Sequence, residues 1–512
     1  MKYYITTPIY YVNDTPHIGH AYTTVAADVM ARWQRIHGRD VYFLTGTDEH
    51  GAKIAQAAAK AGKTPLEFCN AISGEFMAAW KALDITNTSF IRTTDPRHES
   101  AVRLFLQKLH DSGAIYKKKY EGLYCVACEK FIAPQDLNED LCCPDHRQKP
   151  VTQSEENYFF RLSAYRERLL ESIKNGHIEI LPAERRNEII GKLDAQPLED
   201  ISISRATLEW GIPLPFDSSQ TAYVWVDALL NYITALGFET DSEDYRKFWP
   251  ADTHLMAKDI LWFHCVIWPA MLLAGGIPLP GRIFAHGFFT INGQKMSKSI
   301  GNVIRPADLT TRFGVDATRY LILSLFPFGA DGDISWENLT GRYNSDLANN
   351  LGNLVNRTLD MLEKFSAKTI PAPDHATYPS ETSGLMLSQL AGAEDALEQF
   401  EFHRYIQLLQ SAIDLANRHI QNTAPWKMAK ENNPALPTVL FNLAAHLRII
   451  ALYLYPFMPK TAAGIWQQLG APEPLETAAT GFFCAGTEKD SLVLPAAGTA
   501  TSKGGIMFPR IK

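Results

Sequence analysis

Two short words in this chain carry side chains suited to polyphosphate chemistry. Pro16-His17-Ile18-Gly19-His20 lies near the N-terminus, and Lys295-Met296-Ser297-Lys298-Ser299 lies far downstream. His17 and His20 open what reads as the first helix, directly after the first strand, where unpaired backbone N–H groups and the helix dipole favour a phosphate. Gly19 allows close approach to the backbone. Lys295 and Lys298 bring positive charge on a loop that Gly293 and Gly301 leave free to move. A phosphate under attack and its leaving group both gather negative charge, so such chemistry needs positioned donors and no covalent nucleophile. Taken singly, a histidine here is more often a cap or core residue, and a Lys-x-x-Lys loop a solvated charge run. Together, and in this order, they point to one site.

The elements that must position these words read as follows. Tyr3–Thr7 is β-rich and alternating, His20–His37 is helical and closed by Gly38, Val41–Thr45 is a second strand, and Thr64–Leu83 is an amphipathic helix. Strands alternating with helices predict an α/β fold with a Rossmann-type parallel sheet. The pattern breaks near Tyr116 and resumes at Thr221–Leu236 and Arg282–Phe289. Residues 1–115 and 221–285 are therefore expected to form one domain, with 116–220 inserted and 286–345 carrying the lysine word. After Pro327 the apolar period becomes helical over Asp346–Phe365, Gly384–Phe400, His403–Asn422 and Pro437–Met458, which predicts a C-terminal α-helical bundle over 346–484. The tail, 485–512, reads as a loop whose apolar end, Ile506-Met507-Phe508-Pro509, docks back on the body. No internal repeat is found.

Composition sets the outer limits. At 512 residues the chain is too long for one core, and 46% apolar with 21% charged residues describes a soluble globular protein. A net charge of −7 gives no global field for nucleic acid, so any RNA must be met by local patches, and DNA is not expected. No signal peptide is read at the N-terminus, and no stretch reads as a membrane span, Ile449–Met458 being a short core segment. Seven cysteines, four of them clustered, favour a reducing, cytoplasmic setting and a metal site over a disulfide framework. Cys125-Val126-Ala127-Cys128 and Leu141-Cys142-Cys143-Pro144-Asp145-His146 form two knuckles about fourteen residues apart, a spacing that fits tetrahedral zinc. Unligated cysteines in a loop are the alternative.

The two words resemble the HIGH and KMSKS signatures of class I aminoacyl-tRNA synthetases, which join an amino acid to ATP and then to tRNA. Neighbouring segments, Thr6–Asn13, Thr45–Gly51, Tyr223–Tyr232, Lys258–His264 and Trp268–Leu272, are similar to the methionyl-tRNA synthetase family, and the likeness covers essentially the whole chain. The resemblance implies activation of L-methionine by ATP to the adenylate and pyrophosphate. Transfer to tRNA(Met) follows, for translation initiation and elongation. Carried over by position, His17, His20, Lys295 and Lys298 are catalytic. With Gly19 beneath the adenine and Asp259 on the ribose, they bind ATP, which brings its Mg²⁺.

Asp48 then pairs with the substrate ammonium, while Ile9, Tyr11, Trp225, Ala228, Leu229, Tyr232, Ile260 and His264 line the thioether pocket. Aromatic faces and one polar group suit a polarizable, unbranched thioether, although each aromatic alone would more often be plain core. The family pattern selects Cys125, Cys128, Cys143 and His146 for one structural Zn²⁺, making 116–220 a zinc-binding connective domain. The chain departs from that pattern in having Cys142 beside Cys143. Two vicinal cysteines cannot easily reach one metal, and the C-x2-H spacing favours Cys143. The insertion is too short for a hydrolytic editing domain. Asn353, Arg357 and Trp426 correspond to the residues that read a CAU anticodon. A monomer is expected, since no appended dimerisation module is read. The competing readings are a synthetase for another apolar amino acid or cysteine, and a noncatalytic zinc- and RNA-binding descendant. The Tyr11/Trp225/His264 set argues against the first, and the intact His17, His20, Lys295 and Lys298 against the second.

Overall fold

Six short, mostly apolar segments pair side by side: β1 (Lys2–Tyr11), β2 (Asp40–Asp48), β3 (Ser89–Arg92), β4 (Glu179–Leu181), β5 (Thr253–Ala257) and β6 (Arg282–His286). Their order across the sheet is β3-β2-β1-β5-β6-β4, and every neighbouring pair is parallel. Both faces are covered, so the central strands are buried nearly throughout, as parallel sheets require. The computed structural model describes residues 1–125, 130–132, 134–144, 147–206, 208–296, 301–374, 380–485 and 494–512.

The first helix, α1 (Ile18–Ile36), is buried along almost its whole length. Its residues belong to one core cluster that also takes in β1, β2 and much of the C-terminal helical region. A second cluster fills the other face of the sheet and includes the short helix α2 (Val224–Leu229). The inserted segment forms a four-stranded antiparallel sheet in the order Lys130–Ile132, Ile115–Cys125, Val151–Phe160, Ile201–Ser202. One part of it does not stay there. β4 falls within the expected insertion, yet it closes the edge of the main sheet, with Ile180 opposite Ile283.

Beyond β6, the strands Phe289–Ile291, Gln294–Lys295 and Gly332–Ile334 make a small sheet beside α3 (Val315–Ser324). The expected helix from Asp346 starts instead as a π-helix, Tyr343–Gly352, that runs on into α4 (Asn353–Phe365). The bundle continues through α5 (Phe402–Thr423) and α6 (Leu436–Leu454). By length and composition α6 could cross a membrane, so the apolar run is longer than the sequence reading allowed. It is 89% buried inside the protein, which makes it the core helix of the bundle. The tail docks as expected. Phe508 is buried against the Tyr343 ring, and Asn344 and Ile511 exchange two hydrogen bonds at 2.7 and 3.0 Å.

Candidate active site

The site gathers at the carboxyl ends of β1, β2, β5 and β6, the edge where open α/β sheets bind ligands. A shift in the β1–β2 register between Thr6 and Ile9 re-aims the end of β1. From there, strand alternation sends neighbouring side chains to opposite faces. Tyr10 turns toward α1, its hydroxyl 2.7 Å from Thr24 Oγ1 and its ring 4.8 Å from that of His20. Ile9 and Tyr11 turn the other way, into a cavity of about 190 Å³.

All of the side chains assigned to methionine line that one cavity: Ile9, Tyr11, Asp48, Trp225, Ala228, Leu229, Tyr232, Ile260 and His264. Pro8, Lys53, Val224 and Asn231 complete it, and the sequence reading missed them. Trp225, Ala228, Leu229 and Tyr232 stand at i, i+3, i+4 and i+7, so one face of a helical stretch supplies a whole wall. The volume falls below the about 300–1,000 Å³ of drug-sized sites and suits a small ligand. A wider cleft of about 650 Å³, between Trp80, Tyr455 and Lys460, holds none of the predicted site residues.

Polarity at the cavity wall is set by a defined chain of hydrogen bonds. His264 lies 3.0 Å from the Ile260 carbonyl through Nδ1, so Nδ1–H donates there and Nε2 must accept. Its donor is the Tyr232 hydroxyl at 2.7 Å. Burial holds the His264 imidazole down at about 4, and it is neutral at physiological pH. Phe263, absent from the predicted set, stacks on Trp225 with ring centroids 3.8 Å apart and planes 11° from parallel.

Beneath the cavity Asp227 clamps the α2 wall to the β2 end. It lies 2.7 Å from His50 Nδ1 and 2.7 Å from His98 Nε2. Burial alone would raise its carboxyl, but His50 and His98 hold it at about 2. Glu49, next to Asp48, is fixed in turn by Arg92, Ser73, Thr47 and Thr94. Gly46 is needed because a Cβ there would meet the Ile91 carbonyl oxygen at 2.1 Å. These contacts make the strand end that presents Asp48 rigid.

On the other side of β1, His17 is the N-cap of α1. Gly19 N–H donates to His17 Nδ1 at 3.1 Å, and His17 N–H donates to His20 Nδ1 at 3.3 Å. With both Nδ1 atoms accepting, each neutral ring carries its proton on Nε2. The rings stack at 3.7 Å. Burial lowers His17 to about 4, and burial with the adjacent His17 lowers His20 further, so both are uncharged donors. A Cβ on Gly19 would come within 3.0 Å of the His17 ring and 3.9 Å of Met296, so Met296 lies against the histidine word. Ile18 N–H donates to Ile304 O at 2.9 Å and ties the two segments on the other side of the loop. Lys295 begins that loop in the strand Gln294–Lys295, and Lys298 lies outside the described residues. Asp259 is exposed on the turn that follows β5, at the same sheet edge.

Of the four metal candidates, Cys125 and Cys143 are described, and they share one small buried cluster with Ile132 and Leu137. Cys142 is partly exposed, its thiol 3.6 Å from the Asp140 carbonyl. Cys128 and His146 lie outside the described residues. In the bundle, Arg357 sits over the Trp426 ring at 5.7 Å, Trp426 is 39% exposed, and Asn353 is exposed one turn earlier on α4.

Residues 3–148 and 132–359 match the family described as tRNA synthetases class I (M), and residues 388–493 match the anticodon-binding domain of tRNA ligases. A methionine–tRNA ligase of Caldanaerobacter subterraneus subsp. tengcongensis is 46% identical over 99% of this chain and 79% of its own length. One from Streptomyces coelicolor is 44% identical over 100% of this chain and 97% of its own length. Mycobacterium tuberculosis methionyl-tRNA synthetase in complex with methionyl-adenylate superimposes with a TM-score of 0.92 at 39% identity, covering 100% of both chains. A parallel sheet with this signature pair at its carboxyl edge, followed by a helical anticodon-binding domain, is that of a class I tRNA synthetase. Within that class, the chain belongs to the methionyl-tRNA synthetase family.

Proposed function

We infer that the protein ligates methionine to tRNA in two steps. L-Methionine and ATP give methionyl-adenylate and pyrophosphate, and the methionyl group then passes to tRNA(Met) with release of AMP. The observation that carries the reading is the 190 Å³ cavity. Every residue expected to bind methionine lines it, and it lies across β1 from the paired His17 and His20.

In this reading Asp48 holds the ammonium, and the aromatic and aliphatic walls take the thioether. The methionine carboxylate then attacks the α-phosphorus, a P–O bond to pyrophosphate breaks, and the electron pair leaves with pyrophosphate. His17 and His20 donate Nε2–H to the developing charge, Lys295 and Lys298 follow the β- and γ-phosphates, and Asp259 holds the ribose. Mg²⁺ enters with ATP. No side chain forms a covalent bond to substrate. The test is ATP–pyrophosphate exchange against a panel of amino acids. Exchange driven by methionine is expected, and exchange driven by another amino acid but not methionine overturns the reading.

Zinc fits the insertion. Cys125, Cys128, Cys143 and His146 would hold one Zn²⁺, which supplies a structural cross-link when bound. The buried pairing of Cys125 with Cys143, and the turn of Cys142 toward Asp140, support Cys143 as the third ligand. At the far end, the exposed Asn353–Arg357–Trp426 face supports reading of a CAU anticodon. Unstacked bases would stack on the indole and hydrogen-bond along their edges to Asn353 and Arg357.

A further inference from the structure

A chain of hydrogen-bonded side chains runs between the proposed anticodon face and the helix that begins with the paired histidines. It starts at Asn350, one turn before Asn353, in the π-helical segment. Asn350 Nδ2 donates to Gln410 Oε1 at 2.9 Å and to Asp414 Oδ1 at 2.8 Å, both on α5, while Asn417 Nδ2 donates to Asn350 Oδ1 at 2.7 Å. Gln410 Nε2 donates to the Tyr320 hydroxyl at 2.8 Å. That hydroxyl donates to Asp346 Oδ2 at 2.9 Å, back in the π-helical segment. Tyr320 is wholly buried, and its hydroxyl alone fixes α3 to both α5 and the segment that leads into α4.

The neighbouring residue grips the catalytic domain. Arg319, also wholly buried, meets Asp28 of α1 at 2.7 Å. It donates to the carbonyls of Leu83, Pro456 and Phe457 at 2.9–3.1 Å. Asp28 also accepts from the Thr86 N–H and hydroxyl at 2.6 Å and from Arg32 Nε at 2.8 Å. It lies about two turns beyond His20 on the same helix. Adjacent residues of α3 therefore join the bundle to the helix of His20: Tyr320 holds α5 and the π-helical segment, and Arg319 holds α1 together with the carbonyls just past α6.

We propose that Tyr320 is a positioning residue that couples occupancy of the Asn353–Arg357–Trp426 face to the placement of α1. The proposal rests on reading that face as the anticodon site. Buried polar networks tolerate few arrangements because each member must stay satisfied, so movement is passed on in steps and not absorbed. The element that would move is a π-helical segment, a geometry that recurs at functional sites, joined directly to α4. A base engaged by Asn353 and Arg357 loads that segment at its carboxyl end. Asp346 and Asn350 carry the load to Tyr320, and α3 carries it to Asp28 through Arg319.

Tyr320→Phe removes one hydroxyl and keeps the ring. The variant is compared with wild type in tRNA-free pyrophosphate exchange, in charging of CAU-anticodon tRNA, in charging of a tRNA whose anticodon has been replaced, and in tRNA affinity. The kcat for CAU tRNA is expected to fall about tenfold, within the usual span of coupling energies. The slow charging of the replaced-anticodon tRNA, the exchange rate and the tRNA Kd should stay within about twofold of wild type. Gln410→Leu breaks only the route through Asn350 and should lose part of the same kcat, and the double variant should lose no more than Tyr320→Phe, because that substitution already breaks both routes. Equal losses for both tRNAs, an unchanged CAU kcat, or additive losses in the double variant would each overturn the proposal. Trp426→Ala separates it from the reading beneath it. If that variant keeps full discrimination between the two tRNAs, the anticodon face is misplaced, whatever Tyr320 does.

Discussion

Replacing Tyr232 with Phe isolates one atom of the cavity proposed for methionine. His264 Nδ1–H is committed to the Ile260 carbonyl, so among the described residues Nε2 takes its donor from the Tyr232 hydroxyl at 2.7 Å. Both residues are about 1% exposed and both line the cavity. In the free variant, water in the cavity can donate to Nε2 in place of the hydroxyl, so folding stability should fall by less than ~1 kcal/mol. Bound methionine expels that water and offers a thioether with no proton to give. The penalty of an unsatisfied buried acceptor, about 1–3 kcal/mol, then appears only on binding. Converted at about 1.4 kcal/mol per decade, this raises the methionine KM by about 5- to 150-fold.

The acceptor is unsatisfied equally in the ground state and the transition state, so kcat should not change. Pyrophosphate exchange across methionine concentrations gives KM and kcat, and urea unfolding of the free protein gives the stability. A kcat that falls at constant KM would place Tyr232 against the reacting atoms. A stability loss near 3 kcal/mol with KM unchanged would show that the imidazole lone pair does not face the cavity. Either result refutes the reasoning.

The other expectations are briefer. Lys298→Ala should slow adenylate formation by at least ~10²-fold and leave methionine affinity near wild type, since the lysine meets phosphate; equal loss in binding argues against that role. Trp426→Ala and Arg357→Ala should each cost about tenfold to a hundredfold in charging of CAU tRNA and spare tRNA-free exchange; if both activities fall together, these residues support the fold. Elemental analysis should find about one zinc per chain, lost in Cys125→Ser and kept in Cys142→Ser; the reverse for Cys142 and Cys143 variants would name the wrong neighbour. Burial holds His17, His264 and His286 at about 4 and His446 at about 3, all below the unfolded value of about 6.5. Between those values the unfolded chain binds more protons, so stability should drop as pH falls from about 6.5 toward 4. A flat denaturation midpoint across that range would contradict the neutral, buried state of these rings.

How far the sequence could be read depended on whether a feature was local. Strand alternation at Ile9, Tyr10 and Tyr11, and helical spacing over Trp225–Tyr232, are written in consecutive residues, and the cavity walls follow from them. Of the main sheet, β1, β2 and β6 were legible for the same reason, while β3, β5 and β4 were not read as strands. A strand of three residues carries no periodicity, and only its pairing with β6 shows where it belongs. The clamp of His50 and His98 on Asp227 joins residues 177 and 129 positions apart, so nothing local marks it. Phe263 reads as one more apolar residue until its stack on Trp225 is seen. The π-helical start of α4 was invisible because its composition is that of an ordinary helix and its register is set by tertiary partners.

The division of charge around the nucleotide is the main physical consequence of the arrangement. Positive charge fixed beside a triphosphate would bind it as tightly before reaction as at the transition state, which lowers KM without raising the rate. It would also retain pyrophosphate. In the proposed reading the two needs fall to different residues. His17 and His20 are stacked, half-buried and neutral, so in the proposed reading they would orient a phosphate oxygen without holding the polyanion by charge. The cations, Lys295 and Lys298, stand on either side of Met296 in the sequence. Met296 already lies against the histidine word, and Ile304 is tied to Ile18 beyond the loop. In the two-step reading proposed above, a lysine between those two points would serve the leaving pyrophosphate, a role that a lysine anchored on α1 could not fill and that Lys298→Ala tests.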